Sequence, residues 1–201
     1  MKLIFIGNSG SGKTTLAERV ALELNEAIHY SNLKDLTLPN PRERDFETII
    51  DLQERVRDRI LNTIIETSSG CYDRSLFDQY CYSNKLVGQS LTFYNEKSLQ
   101  GSSYFKMLKR ALTHFKWTRF LLRREIFNVT KYFYCDSLEE YIRENDIQEE
   151  NPVEKVRWGR GDLQLSEIYV KMYEILLPPY KVIKVPAMGL EERVDFVMER
   201  I

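Results

Sequence analysis

Residues Gly7-Asn8-Ser9-Gly10-Ser11-Gly12-Lys13-Thr14 satisfy G-x-x-x-x-G-K-[ST] at every fixed position. Glycines at this spacing let the backbone wrap closely around an anion and aim several N–H groups inward, where side chains would obstruct. A helix beginning at the loop adds its positive dipole end to the field on bound phosphates. Lys13 would then span the β- and γ-phosphates of a nucleotide, and the Thr14 hydroxyl would ligate Mg²⁺. Asn8, Ser9, Gly10, Ser11, Gly12, Lys13, Thr14 and Thr15 are therefore candidate ATP-binding residues, with Lys13 also a catalytic candidate. The plain alternative is a glycine-rich turn with no nucleotide, and the strand-to-helix context of the motif argues against it.

Two further constellations bear on what the phosphates are for. The short apolar run Gly70-Cys71-Tyr72 ends in Asp73-Arg74-Ser75. Asp73 can hold Mg²⁺ or take a proton from an acceptor hydroxyl, and Arg74 can grip the acceptor or its phosphate; a structural ion pair is the plain reading. Arg157 and Arg160 stand three apart in a charged, glycine-containing segment. Arginines brought in late over a transferring phosphoryl contribute roughly 10³–10⁵ in rate and belong on a lid that excludes water. A solvated loop is the alternative there. A GTP switch needs N-K-x-D, and the nearest match, Asn84-Lys85-Leu86-Val87, has no aspartate. A mechanical ATPase would carry an apolar strand ending in Asp-Glu, and no run here does. Of motor, switch and transfer, the Asp-Arg-Ser corner suits transfer best.

The elements that must position these groups follow from periodicity. Apolar runs over 2–6, 27–31, 70–72, 130–135 and 182–185 read as strands. Helical spacing predicts helices over 14–25, 45–66, 76–86, 104–127, 165–177 and 190–200, plus a short one containing Leu138 and Tyr141 capped by Asp136 or Ser137. A polar stretch with Gly88, Ser90, Asn95 and Gly101 is expected to separate two of the helices. Strands alternating with helices imply an α/β fold with a parallel sheet, which gathers ligands at the strands' carboxyl ends. The loop, Asp73, Asp136 and Pro186 all fall on that edge.

The chain of 201 residues, 43% hydrophobic and 29% charged with net charge −1, is bounded to one soluble domain spanning 1–201, with a lid at about 143–162 and a basic helical insertion at about 104–127. No run is long enough for a membrane span. Cys71, Cys81 and Cys135 form no C-x-x-C pair, which disfavours zinc and points to the reducing cytoplasm. His29 and His114 are isolated and read as structural.

With these motifs assembled, the chain resembles the small P-loop kinases, the group containing thymidylate kinase, deoxynucleoside kinases and the nicotinamide riboside kinase domain. It is most similar to small, often phage-encoded, proteins related to that last domain. The carriers are GNSGSGKTT, the helix with Asp51-Leu52-Gln53, the stretch Asp73-Arg74-Ser75-Leu76-Phe77-Asp78-Gln79-Tyr80, the Arg157/Arg160 segment, and the final strand and helix with Glu192-Arg193. The resemblance implies a three-layer fold with a five-stranded parallel sheet in the order 2-3-1-4-5 and a mobile lid. It also implies that Ala187, in the loop after the fifth strand, borders adenine, and that Asp35, Arg42, Gln53 and Arg74 lie on the acceptor side. Tyr30-Ser31-Asn32 supplies no carboxylate where nucleoside kinases place their base, so the base stays open between Asp73 and Asp35.

The acceptor is open as well. Residues 104–124 hold seven basic residues (Lys106, Lys109, Arg110, Lys116, Arg119, Arg123, Arg124), interleaved aromatics and no acid. An amphipathic helix with snorkelling lysines explains them, as does a surface for an acceptor already carrying phosphate. Three readings follow: a kinase for a nucleoside, nucleoside monophosphate or related small molecule; a kinase acting on a nucleic-acid strand or a modified base; or an ATP-binding regulatory module without transfer.

Overall fold

The structure, a computed structural model, describes residues 1–8, 10–30, 46–96, 102–145 and 163–201. In chain order the elements are β1 (Lys2–Ile6), α1 (Lys13–Leu24), β2 (Ile28–Tyr30), α2 (Phe46–Glu66), β3 (Gly70–Asp73), α3 (Leu76–Glu96), α4 (Ser102–Asn128), β4 (Lys131–Cys135), α5 (Glu139–Glu144), α6 (Leu163–Leu176), a 3₁₀ turn (Pro179–Lys181), β5 (Val182–Val185) and α7 (Leu190–Met198). The sheet is parallel throughout, in the order β2-β3-β1-β4-β5. The anticipated α/β architecture and strand order are those observed.

β1 is central because four of its five residues, Leu3 to Ile6, can be buried, and strand alternation splits them between two cores. Ile4 and Ile6 join Tyr72, Tyr132 and Tyr134 under α2, α3, α4 and α6. Leu3 and Phe5 join Cys71, Phe133 and Cys135 under α1 and α7, with Phe5 stacked on Phe133 at 5.3 Å. The register sets Phe5 opposite Asp73 and Phe133, so the carboxyl ends of β1, β3 and β4 finish level to within two residues on one edge of the sheet. That level edge places the phosphate loop beside Asp73.

Three local expectations need correction. The helix after β3 does not stop near Leu86: it continues through Gly88 and Ser90 to Glu96. One internal glycine costs a helix only about 1 kcal/mol, and no proline interrupts the run. The N-cap position of α5 is Leu138, not Asp136 or Ser137. Asp136 instead pairs with Lys184 at 3.0 Å. Finally, β2 is shorter than expected, spanning Ile28–Tyr30.

The basic stretch forms one helix, α4, whose inner stripe is Ala111, His114, Thr118, Leu121, Leu122 and Glu125. His114 is structural as anticipated, packed against Arg57 with Nδ1 3.2 Å from its guanidinium. His29 stacks on Tyr72. The three cysteines are free and buried. Among the described residues no helix is long and apolar enough to cross a membrane, and no group of His, Cys, Asp and Glu side chains is arranged to hold a metal ion by itself.

Candidate active site

The site begins where β1 ends. Gly7 has φ +146, and a Cβ there would come within 2.6 Å of the Cys135 carbonyl oxygen on β4, so only glycine lets the chain leave the sheet at this point. The loop turns through Gly10 and Gly12, and Gly12, at φ +65, is the N-cap of α1. A Cβ on Gly12 would lie 2.8 Å from Arg193 Nη1 and 2.9 Å from Leu138 Cδ1. The loop is thus supported from beneath by Arg193 of α7, a buried side chain whose Nη2 donates to the Ser11 carbonyl at 2.9 Å. Glu192-Arg193 was visible in the sequence only as a matching pair, and nothing in its spacing revealed this prop.

Lys13 is buried and its Nζ donates to the Asn8 carbonyl at 3.1 Å. Burial, then the neighbouring Arg74 charge, pulls its pKa down, while Asp78 and Asp73 push back. Buried ammonium with one backbone acceptor is strongly under-solvated and suited to meeting an anion. Asn8 also donates through Nδ2 to Ser166 Oγ on α6 at 2.5 Å. Thr14 and Thr15 open α1 with their side chains exposed.

Opposite the loop, Asp73 terminates β3. Its Oδ2 accepts the Thr14 hydroxyl at 2.9 Å, and its Oδ1 is buried with no hydrogen-bond partner. Arg74 follows with φ +86, a left-handed conformation that costs a non-glycine residue roughly 1–2 kcal/mol. Its N–H donates to the Phe5 carbonyl at 3.0 Å, which fixes that corner against β1, and its guanidinium lies 5.9 Å from the Tyr82 ring centroid. Burial opposes its charge, but Tyr82, Asp78, Tyr169 and Asp73 more than offset that and keep it protonated. A pocket beside the pair is lined by His29, Tyr30, Ile60, Thr63, Ile64 and Tyr72.

Two buried carboxylates lie under this corner, one with no sequence signal and one, Asp78, visible only as part of the matching Asp73–Tyr80 stretch. Glu125 of α4 accepts Leu76 N–H at 2.7 Å and the Tyr132 hydroxyl at 2.9 Å, and burial raises its pKa to about 8. Asp78, on the first turn of α3, accepts Ser75 N–H at 2.7 Å. Its burial raises its pKa against the opposing pull of Lys13 and Arg74. An isolated Glu in a basic helix and an Asp after a Ser look like surface residues in one dimension; only packing reveals them.

The structure therefore brings together Asn8, Gly10, Ser11, Gly12, Lys13, Thr14, Asp73 and Arg74. Gln53 sits on α2 with its side-chain oxygen buried and without a hydrogen-bond partner. Ala187 lies half-buried in the loop after β5, on the same sheet edge. Ser9, Asp35, Arg42, Arg157 and Arg160 lie outside the described residues.

No protein-family model matches the sequence, and no curated protein does. Solved structures do. A deoxyadenosine kinase from M. mycoides with dCMP and dCDP bound superposes with a TM-score of 0.64 at 12% identity, covering 100% of this chain and 97% of the other. The same enzyme with dATP bound gives 0.60 at 15% identity, covering 100% and 98%. A thymidylate kinase from Candida albicans gives 0.50 at 12% identity, covering 100% and 90%. This chain has the fold of the P-loop nucleoside and nucleotide kinases. At such identities the likeness extends to the fold, and the assignment of chemistry rests on the site itself.

Proposed function

We propose that the protein is an ATP-dependent phosphotransferase that passes the γ-phosphoryl to a nucleoside, a nucleoside monophosphate or a related small acceptor. The observation that carries this is the 2.9 Å contact between Thr14 and Asp73, which joins the phosphate loop to the end of the strand where an acceptor would sit. Switches and motors also set an aspartate beside the loop threonine; what favours transfer is Arg74 next to it, a cation for the acceptor, in a chain without the N-K-x-D and Asp-Glu elements those classes carry.

Mg²⁺ fits here, since a hydroxyl and a carboxylate with one buried, unpartnered oxygen supply the hard donors the ion prefers. When bound it supplies charge neutralisation at the β- and γ-phosphates. On the chain's side, the amides of Ser9 to Gly12 cradle phosphate and Lys13 swings from the Asn8 carbonyl onto it. Arg74 grips the acceptor. Asp73 or Asp35 takes the acceptor's proton, and Ala187 borders the adenine. Asp35, Arg42 and Gln53 complete the acceptor side, and Arg157 and Arg160 close over the moving group. Three free, buried thiols agree with a reducing, cytoplasmic setting.

A second acceptor class, a nucleic-acid strand or modified base, is favoured by one observation. On α4, Lys106, Lys109, Lys116, Arg119, Arg123 and Arg124 are exposed, and the half-exposed Trp117 and Phe120 stack at 5.3 Å. Incubation with γ-labelled ATP and a panel of nucleosides, nucleoside monophosphates and oligonucleotides decides. Label on a small acceptor is the expected result. Label on a strand, with salt-sensitive binding, selects the second class. ATP consumed with no phosphorylated product points to a regulatory module and overturns both.

A further inference from the structure

We infer that Asp78 and Tyr169 are positioning residues, clamping α6 to the entrance of the phosphate loop and to the Asp73-Arg74 corner at once. The inference rests on the loop binding a nucleotide triphosphate and is independent of the acceptor.

Part of the Asp78 geometry is ordinary helix capping. Ser75 is the N-cap of α3, its Oγ accepts Phe77 N–H at 2.9 Å, and Asp78 Oδ2 returns to Ser75 N–H at 2.7 Å. A cap needs only that oxygen. The other, Oδ1, leaves the helix: it accepts the Tyr169 hydroxyl of α6 at 2.7 Å and the Gly7 N–H, at the mouth of the phosphate loop, at 3.4 Å. Asp78 is wholly inaccessible to solvent, so each of these bonds replaces water it has lost. α6 makes a second attachment to the same loop through Ser166, which receives the Asn8 side chain. Ser166, Tyr169 and Tyr173 are spaced i, i+3, i+7, and Tyr173 stacks on Tyr134 of β4 at 4.6 Å. One face of α6 is therefore fastened to the loop at both Gly7 and Asn8, and through one carboxylate to the corner that carries Arg74.

The substitution Asp78→Asn separates this role from helix capping. Its oxygen can still accept Ser75 N–H, so the cap survives. Its amide then faces the Gly7 N–H, donor against donor, and that link is lost. Removing a buried negative charge beside Lys13 favours an incoming anion but also withdraws support for the Lys13 ammonium, so Tyr169→Phe, which leaves that charge in place, is the arm that reports loop position alone. The experiment is equilibrium titration with a fluorescent ATP analogue and Mg²⁺, with thermal melts of each variant. Asp78→Asn is expected to weaken nucleotide binding about tenfold, and Tyr169→Phe by about three- to tenfold, the worth of one buried hydrogen bond. Because Tyr169 acts through Asp78, the double variant should bind no more weakly than Asp78→Asn alone. Unchanged or tighter binding by Asp78→Asn, or additive losses in the double variant, overturns the clamp. If Asp78→Asn does not fold, Tyr169→Phe decides alone, and wild-type affinity in that variant overturns it. Label transfer by the wild type alongside normal affinity in both variants overturns the clamp while leaving the transferase reading intact.

Discussion

The Thr14 hydroxyl donates to the Asp73 carboxylate across 2.9 Å, tying the first turn of α1 to the end of β3. Both groups prefer a hard cation to each other, and the second Asp73 oxygen is buried without a partner. Thr14→Val keeps the shape and removes the donor. It should raise the Mg²⁺ concentration needed for half-maximal activity at least tenfold, whereas Thr14→Ser should stay near wild type. Asp73→Asn should lower kcat by about 10² or more, the usual scale for a positioned acid or base. A magnesium titration of initial rates checks all three, and an Asp73→Asn enzyme at full kcat would leave Asp35 as the base.

Lys13 gives the plainest separation of folding from function. Its ammonium is buried, has lost most of its hydration, and is held by a single carbonyl. Lys13→Ala removes a costly buried charge, so the melting temperature should hold or rise while transfer falls below detection. Paired melts and labelled-ATP assays test this, and normal turnover in the variant would remove the proposed chemistry.

Much of this site is legible in one dimension because its rules are local. The phosphate loop needs glycine at fixed places and a strand before it, and an apolar run ending in Asp73-Arg74 announces a sheet edge. The supports are not local. Arg193 reaches the Ser11 carbonyl from the last helix, and Glu125 reaches Leu76 from α4. Neither spacing nor periodicity encodes such contacts, since a buried polar residue is recognisable only by the partner that satisfies it. The length of α3 was hidden for a different reason: Gly88 and its polar neighbours read as a break, yet the buried stripe Leu76, Phe77, Tyr80, Cys81 and Leu86 had already anchored the helix.

Glu125 makes stability depend on pH in a stated direction. Its carboxyl titrates near the usual 4.5 in the unfolded chain and near 8 in the folded one, because burial outweighs the hydrogen bonds from Leu76 and Tyr132. Folding thus takes up a proton between those values. The stability this contributes is fully present below about pH 4.5 and is lost as pH rises through about 8. Glu125→Gln mimics the uncharged form, with its oxygen accepting Leu76 N–H and its amide donating to the Tyr132 oxygen. Between pH 5 and 8.5 the wild-type melting temperature should therefore fall relative to that of Glu125→Gln. Melts of both proteins in matched buffers check the crossing, and parallel curves would show that Glu125 titrates normally.

Gly12 carries the last expectation, because two independent costs meet at one atom. Alanine there must adopt φ +65, disfavoured by roughly 1–2 kcal/mol, and its Cβ would press on Arg193 Nη1 at 2.8 Å and Leu138 Cδ1 at 2.9 Å. The arginine end can yield, but yielding breaks its bond to the Ser11 carbonyl and withdraws the support under the loop. Gly12→Ala should therefore melt a few degrees lower and bind MgATP at least tenfold more weakly. Arg193→Met, which removes the prop without straining Gly12, should reproduce the binding loss. If Gly12→Ala binds poorly while Arg193→Met binds normally, backbone strain alone governs the loop; equal losses in the two show that the α7 arginine holds the phosphate cradle in shape.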